Sequence, residues 1–395
     1  MTSYKIITKL NKLLNTQKTI TILYILFALA AGVQSYFSPP KQFAEGDRYY
    51  TCYNNYVIFK NSSVHLSEGK DMYVPYPVEQ GDLYKYTPTF ALFFQAFGVW
   101  PDLVGLCLWD LLNALILLFA VYRLPWFSVR EKNIMLLLML PELMTSLQNE
   151  QSNGLIAGLL ILAFGFMERG RLLAAALAIM ASAFIKLFGI VGLSLFIFYP
   201  QRWKSTLYSV LAALILASAP LMVTSYTAYL EQLRSFVRML GEDHSASYGF
   251  SVMGWLHSWF GVDGGKNIVL LAGMVLFLVP LIRFKNYGDR IFRLLHLTSI
   301  LIWIVIFNHK AESPTFIIAM AGISIWYVTM SKTILNHVLL ALAVVFTSLS
   351  PTDLFPAWLR HNVVIPYTLK AVPCIIIWCK IWWDAVRRPP LAKAS

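Results

Sequence analysis

A few polar residues stand where an apolar chain should exclude them, and their types suit a phosphorylated or hydroxyl-rich ligand. Lys186 lies between Ala183–Phe184–Ile185 and Leu187–Phe188–Gly189. An ionisable group in such a run is costly in lipid and marks function by default. A lysine facing outward from a helix break can meet phosphate as a point charge; snorkelling to an interface is the structural alternative. His309, Lys310 and Glu312 share a short polar stretch that runs into Ser313–Pro314. The basic pair can hold a phosphate or diphosphate, or the group is an interfacial Lys–Glu turn, with the proline compatible with the first turn of a following helix. Arg234 and Arg238, four apart, share a helical face and offer either further anion contacts or a plain rim. Gln148, Asn149, Glu150, Gln151, Ser152 and Asn153 are six consecutive polar residues between apolar runs. A bare turn needs fewer, and amides, which donate and accept at once, suit hydroxyl-rich ligands.

Carboxylates gather in the stretch 38–86. Asp47 follows Gly46, about ten residues beyond the first apolar run. In a low-dielectric cleft at the membrane rim it can serve as a general base; otherwise it is a solvated loop acid. Asp71, Glu79 and Asp82 can be ligands, orienters or surface acids. The stretch also holds Tyr73, Tyr84, Lys85 and Tyr86. Its 49 residues exceed what a connector needs. Long connections without periodic structure are usually functional or disordered, and the aromatic content argues against disorder. No G-x-x-x-x-G-K-[ST] or H-E-x-x-H motif occurs, and Gly264–Gly265 lacks phosphate-cradle spacing, which disfavours an ATP-driven pump. A secondary transporter or flippase for a lipid-linked or small polar substrate remains open, as does a non-catalytic assembly subunit. A transporter should show inverted repeats and polar groups near mid-bilayer; here they collect toward one face.

The elements that position these residues are apolar runs. The chain is 395 residues long, 58% hydrophobic and 13% charged, with mean hydropathy +0.61, against about 25% charge in soluble domains. That excludes a disordered tail protein and a soluble multidomain enzyme. Candidate spans are 19–37, 103–122, 132–148, 151–167, 171–184, 187–200, 205–226, 268–284, 293–308, 315–330, 333–349 and 364–383. The expectation is an all-α polytopic membrane protein of about 12 spans (range 10 to 13), forming one domain over 1–395. The region 171–200 is either two short helices or one long one. The net charge of +12 sits in short connections and not on one face, which assigns it to membrane orientation and not to nucleic acid. The proposed inside segments hold 19 of the 32 bases, putting both termini in the cytoplasm and the loops 38–86 and 227–267 outside. The first run is followed by Pro-Pro and not by a small-residue cleavage site, so no cleavable signal is expected. Residues 87–99, apolar but only 13 long, read as an interfacial or re-entrant element; the alternative is a crossing lengthened by the preceding Tyr84–Tyr86. Residues 251–261, with Trp255 and Trp259 on one face, read as a helix on the membrane surface. Cys374 and Cys379 read as small buried residues and not as a redox or metal pair.

Several blocks together resemble the polyprenyl-phosphate-sugar-dependent membrane glycosyltransferases of the GT-C fold, and most closely the bacterial α-mannosyltransferase-like glycosyltransferase family 87. They are GDRYYTCYNNYVIF (46–59), SEGKDMYVPYP (67–77), DLYKYTPTFALFF (82–94), TSLQNEQSNGLIAGLLI (145–161), FIKLFGIVGLSLFIFYP (184–200) and FNHKAESPTFIIAMAG (307–322). The resemblance implies that Asp47 is the catalytic acid of the first outside loop, deprotonating the acceptor. It places a G-x-D/x-L-Y-like element on Gly69, Asp71 and Tyr73, with Met72 for leucine, and an aromatic-Tyr-x-Pro element on Tyr84, Tyr86 and Pro88. The lysine-bearing helix break falls on Lys186, where the usual proline is missing and Gly189 is the nearby flexible residue. Lys186, His309 and Lys310 would offset charge on the departing phosphate, with Arg234 and Arg238 as further anion contacts. Asp71, Tyr73, Glu79, Asp82, Tyr84, Lys85, Tyr86, Gln148, Asn149, Asn153 and Glu312 would line the cavity. The implied reaction is inverting transfer of a hexose, mannose by family weight, from a polyprenyl-phosphate-linked sugar donor to a glycan or glycolipid acceptor outside the bacterial inner membrane. Its partners are membrane lipid and these substrates; no cofactor is implied, and a divalent cation is conceivable but not required.

Overall fold

The computed structural model describes residues 15–42, 49–242 and 247–390. Among them the chain is mostly helical. In order run α1 (Gln17–Phe37), the two-residue strands β1 (Lys41–Gln42) and β2 (Tyr49–Tyr50), α2 (Asn54–Glu68), α3 (Pro88–Gly98), α4 (Asp102–Arg123), α5 (Val129–Leu147), α6 (Asn153–Met167) and α7 (Leu172–Ile185). A run of tighter turns, Leu187–Phe198, follows. Then come α8 (Arg202–Ser218), α9 (Tyr226–Glu242), α10 (Val252–Phe260), α11 (Lys266–Leu278), α12 (Arg290–Ile306), α13 (Phe316–Thr329), α14 (Ile334–Leu342) and α15 (Val372–Arg387).

Three helical stretches, Gln17–Phe37, Asp102–Arg123 and Arg202–Met222, are long and apolar enough to cross a bilayer, and shorter apolar helices accompany them. The protein is a multi-pass membrane protein. In α1 the buried residues Ile20, Tyr24, Ala28, Ala31 and Ser35 recur every three to four positions, leaving an exposed apolar face suited to lipid. By contrast α6 and α13 are buried nearly all round and form the centre of the bundle with α4 and α12. Most of the apolar runs expected to span are largely helical, but 187–200 is the run of tighter turns Leu187–Phe198, 205–226 is interrupted after Met222, and the long helix of 364–383 begins only at Val372. Upstream of it, Thr368 has φ 54°, and Lys370 forms an ion pair at 2.8 Å with Glu142 of α5, both essentially without exposure.

The first loop departs from the expectation of a stretch without periodic structure, because fifteen of its residues form α2. Tyr56, Phe59, Ser62, Ser63 and Leu66 give α2 a buried face, which the polar Lys60, Asn61 and His65 disguise in the sequence. Gly69 ends the helix in the left-handed region (φ 70°), where glycine carries no Cβ penalty. The short helix α3 lies against α2 through Phe59, Phe90 and Phe94, whose rings are 5.1 and 5.2 Å from that of Phe59. It has 11 residues, about 16 Å at 1.5 Å per residue, against a hydrocarbon core of about 30 Å. The tyrosines just upstream do not lengthen it, since Thr87 caps its start by accepting from the Phe90 amide at 3.3 Å. Residues 251–261 do contain a helix, α10, in which the Trp255 and Trp259 rings lie 6.1 Å apart.

The region 171–200 is two elements, with the break at Lys186. Cys374 and Cys379 lie on different faces of α15; Cys374 is buried, but Cys379 is exposed, correcting the reading of both as buried. Five positions turn an α-helix through about 500°, so the two side chains diverge.

Candidate functional site

Lys186 closes α7 in extended conformation (φ −133°, ψ 126°). No proline forces this break. Instead the chain doubles back so closely that a Cβ on Gly189 would sit 2.6 Å from the Ser182 carbonyl carbon and would overlap the Ser182 hydroxyl. Glycine permits that approach. The Gly189 amide donates to the Lys186 carbonyl at 2.9 Å, tightening the turn.

The lysine ammonium points to the polar turn 148–153. Its Nζ lies 3.0 Å from Gln151 Oε1 and 2.9 Å from Asn153 Oδ1, and 5.5 Å from the centre of the Tyr86 ring. The Tyr86 hydroxyl donates to the same Gln151 oxygen at 3.0 Å. Two dipoles and a ring face thus solvate the charge without neutralising it. Burial pulls the Lys186 pKa down to about 8, with Glu312 opposing the shift.

The turn is clamped from several sides. The Asn153 amide donates to the Pro314 carbonyl at 3.0 Å, tying it to the His309–Lys310 connection. The Asn55 amide of α2 donates to the Asn149 carbonyl at 2.9 Å, and the Trp109 indole donates to the Glu150 carbonyl at 2.8 Å. Glu150 is buried at φ 48°, uncommon for a residue with a Cβ. Burial raises its pKa to about 8, so its carboxyl is largely neutral at pH 7.

One cleft of about 300 Å³ is lined by Asn55, Asp82, Lys85, Tyr86, Gln151, Lys186, Asn308, Lys310, Glu312 and Thr315. Three connections distant in sequence therefore meet: the first loop, the amide turn and the 308–314 turn. A separate groove of about 250 Å³ is lined by Phe90, Phe93, Leu112, Leu155, Phe184 and Ile185 and is almost free of polar surface. Its Phe184 and Ile185 immediately precede Lys186.

Other candidates lie elsewhere. Asp47 falls outside the described residues. Asp71 accepts from the Tyr73 amide at 2.9 Å and from the Ser235 hydroxyl at 2.7 Å, which binds the loop to α9. Glu79 pairs with His65 at 3.0 Å. Tyr84 is buried and donates to the Thr87 carbonyl at 2.7 Å. The Gln148 side chain donates to Gln34 at 2.7 Å, and that of Asn149 to the Thr145 carbonyl at 2.8 Å. Arg234 is exposed on α9. Arg238 leans on Ser235 at 3.0 Å, 3.6 Å from Asp71; α9 reaches the cleft through Leu240 and not through these arginines. His309 is partly buried in the turn between Asn308 and Lys310. Sequence reasoning did not single out Gln151, Asn55 or Asn308 as site residues, although Gln151 stood within the polar hexapeptide. Among the described residues no cluster of three or more His, Cys, Asp or Glu side chains gathers to hold a metal ion.

A family model described as Glycosyltransferase family 87 matches residues 84–307, more than half of the chain. Two solved structures are similar to it. One is ArnT from Cupriavidus metallidurans bound to undecaprenyl phosphate, at 13% identity over 92% of this chain and 77% of that one, with TM-score 0.46. The other is ArnT from the same organism in the apo state, at 16% identity over 93% and 77%, with TM-score 0.43. No curated protein matches the chain.

Proposed function

The chain belongs to glycosyltransferase family 87, and from that premise we propose that it moves a hexose from a polyprenyl-phosphate carrier to a hydroxyl of a lipid-linked or envelope glycan. The observation that carries this reading is the place of Lys186. A buried cation lines a polar cleft, and the two residues before it line an apolar groove; a prenyl chain ending in a sugar phosphate presents those same three chemistries. In this reading the first isoprene units occupy the groove beside Phe93 and Leu155, Lys186 and Lys310 meet the phosphate, and Gln151 with Asp82 faces the sugar.

The reaction is a single displacement. Asp47 takes the proton of the acceptor hydroxyl, and that oxygen bonds to the anomeric carbon from the face opposite the carrier. The bond between the anomeric carbon and the phosphate oxygen breaks, and its electron pair leaves with polyprenyl phosphate. Lys186, His309 and Lys310 offset the charge developing on that oxygen. One carboxylate suffices for inversion, so a β-linked donor yields an α-linked product; mannose is the hexose proposed. The scheme calls for no cofactor. The site faces the non-cytoplasmic side of the bacterial inner membrane, in a GT-C-type body of about twelve crossings with both termini inside, consistent with the basic connections.

The test is incubation of the purified protein with a panel of polyprenyl-phosphate sugars and native membrane acceptors, followed by mass analysis. Transfer of one sugar with release of polyprenyl phosphate is expected, and Asp47→Asn should abolish it while donor binding persists. Turnover of that variant within tenfold of wild type removes Asp47 as base. Vesicle transport without any consumption of lipid-linked sugar replaces the enzyme reading with a transporter.

A further inference from the structure

A second cleft, of about 580 Å³, opens between the first loop and α9. Its size lies within the range of small-ligand sites. Tyr73, Pro75 and Leu83 form one wall; Arg238, Met239 and Glu242 form the other. Leu83 also lines the Lys186 cleft, so the two clefts share a wall residue. Tyr73 joins them a second way: its ring faces this cleft while its hydroxyl donates to the Tyr86 carbonyl at 2.9 Å, and the Tyr86 ring lies beneath Lys186. The loop wall is fixed to the helix wall. The Met72 amide donates to Gln232 Oε1 at 3.1 Å, Gln232 Nε2 donates to the Lys70 carbonyl at 2.5 Å, and Asp71 accepts from Ser235. The cleft is therefore built between anchored elements.

We propose that this second cleft binds the acceptor as a neutral glycan, delivering its terminal hydroxyl past Leu83 to the donor cleft. The proposal rests on the glycosyltransferase reading above and assigns that site its second substrate. The chemistry fits a pyranose. Pro75, Leu83 and Met239 offer apolar surface for the C–H faces of a sugar ring. Arg238 and Glu242, on the exposed side of α9, offer a forked donor and a forked acceptor for its hydroxyls. Cation and carboxylate occur together on this wall, which suits neutral hydroxyls better than an anion. The phosphate-seeking cations Lys186 and Lys310 stand in the other cleft.

Saturation-transfer NMR on the full-length protein in nanodiscs, with mannotriose and maltotriose as probes and no donor present, tests this directly. At least one trisaccharide should receive saturation at its ring protons. Arg238→Ala should weaken that signal at least threefold, and Pro75→Trp, an exposed loop change that fills the cleft, at least fivefold. Binding of undecaprenyl phosphate to both variants should stay within twofold of wild type, showing that they remain folded with the donor cleft intact. No saturation transfer to either sugar, or a signal that neither variant reduces, overturns the proposal. So does a parallel loss of undecaprenyl phosphate binding, which would merge this cleft with the donor site. Because sugar binding is read without turnover, failure here with lipid-sugar consumption intact removes the acceptor cleft and leaves the donor reading standing.

Discussion

Removing the Lys186 ammonium is the perturbation whose size follows most directly from the geometry. Nζ has neutral amide oxygens at 3.0 and 2.9 Å, so its charge is solvated and available to an incoming phosphate. A hydrogen bond to a charged group is worth about 1.5–3 kcal/mol. At about 1.4 kcal/mol per decade, Lys186→Ala should lower donor kcat/KM by about 10- to 150-fold. The pH dependence adds a second signature. Burial has lowered this amine to about 8, so the charged form predominates at pH 7 and is lost as pH rises through 8. Wild-type donor kcat/KM should therefore fall along an alkaline limb near pH 8 that Lys186→Ala lacks. Initial rates of polyprenyl phosphate release against donor concentration, from about pH 6 to about pH 10, measure both. A variant within twofold of wild type that keeps the same alkaline limb refutes the assignment of Lys186 to the phosphate.

Glu150 titrates in the opposite sense. Its folded pKa is raised from 4.5 to about 8, so the fold binds a proton the unfolded chain has lost, and its contribution to stability falls as pH rises between those values. Glu150→Gln should be more heat-resistant than wild type at pH 8, with the gap closing toward pH 4.5; a pH-independent gap rejects the buried neutral acid. Gly189→Ala forces a contact with the Ser182 backbone and should cost about 1–3 kcal/mol along with donor use, whereas Gly241→Ala, with open space around it, should change thermal stability little. Breaking the buried Glu142–Lys370 pair from one side, by Glu142→Gln or Lys370→Met, should destabilise by about 3–5 kcal/mol, and the double variant by less than the two single losses together; simple additivity in thermal unfolding contradicts a coupled pair.

Legibility in the sequence followed the physics of burial. A lysine between Ile185 and Leu187 is conspicuous because lipid penalises charge, and the hexapeptide 148–153 because a turn needs less polarity; both reach the cleft. The break at Lys186 was readable, but its cause was not: Gly189 replaces a proline through contact with Ser182, which no local pattern encodes. Asp71 and Glu79 looked like Asp82 in the sequence, yet Asp71 meets Ser235 and Glu79 meets His65. Only the path of the chain decides which carboxylate faces a cleft. Arg234 and Arg238 followed helical spacing correctly onto α9, but spacing on one helix says nothing about which neighbour that face meets. Gln151 was hidden by its own neighbours, since six adjacent polar residues give no sign of which amide turns inward. Helices such as α6 and α13, apolar on every side, carry no periodic signal of packing direction.

The position of the carrier's phosphate decides between these outcomes. A cryo-electron microscopy map of the full-length protein with undecaprenyl phosphate should place that phosphate within hydrogen-bond distance of Lys186 Nζ, with the first isoprene units between Phe93 and Leu155. A phosphate seated beside Arg238, or on the opposite side of the membrane from the 148–153 turn, would contradict it.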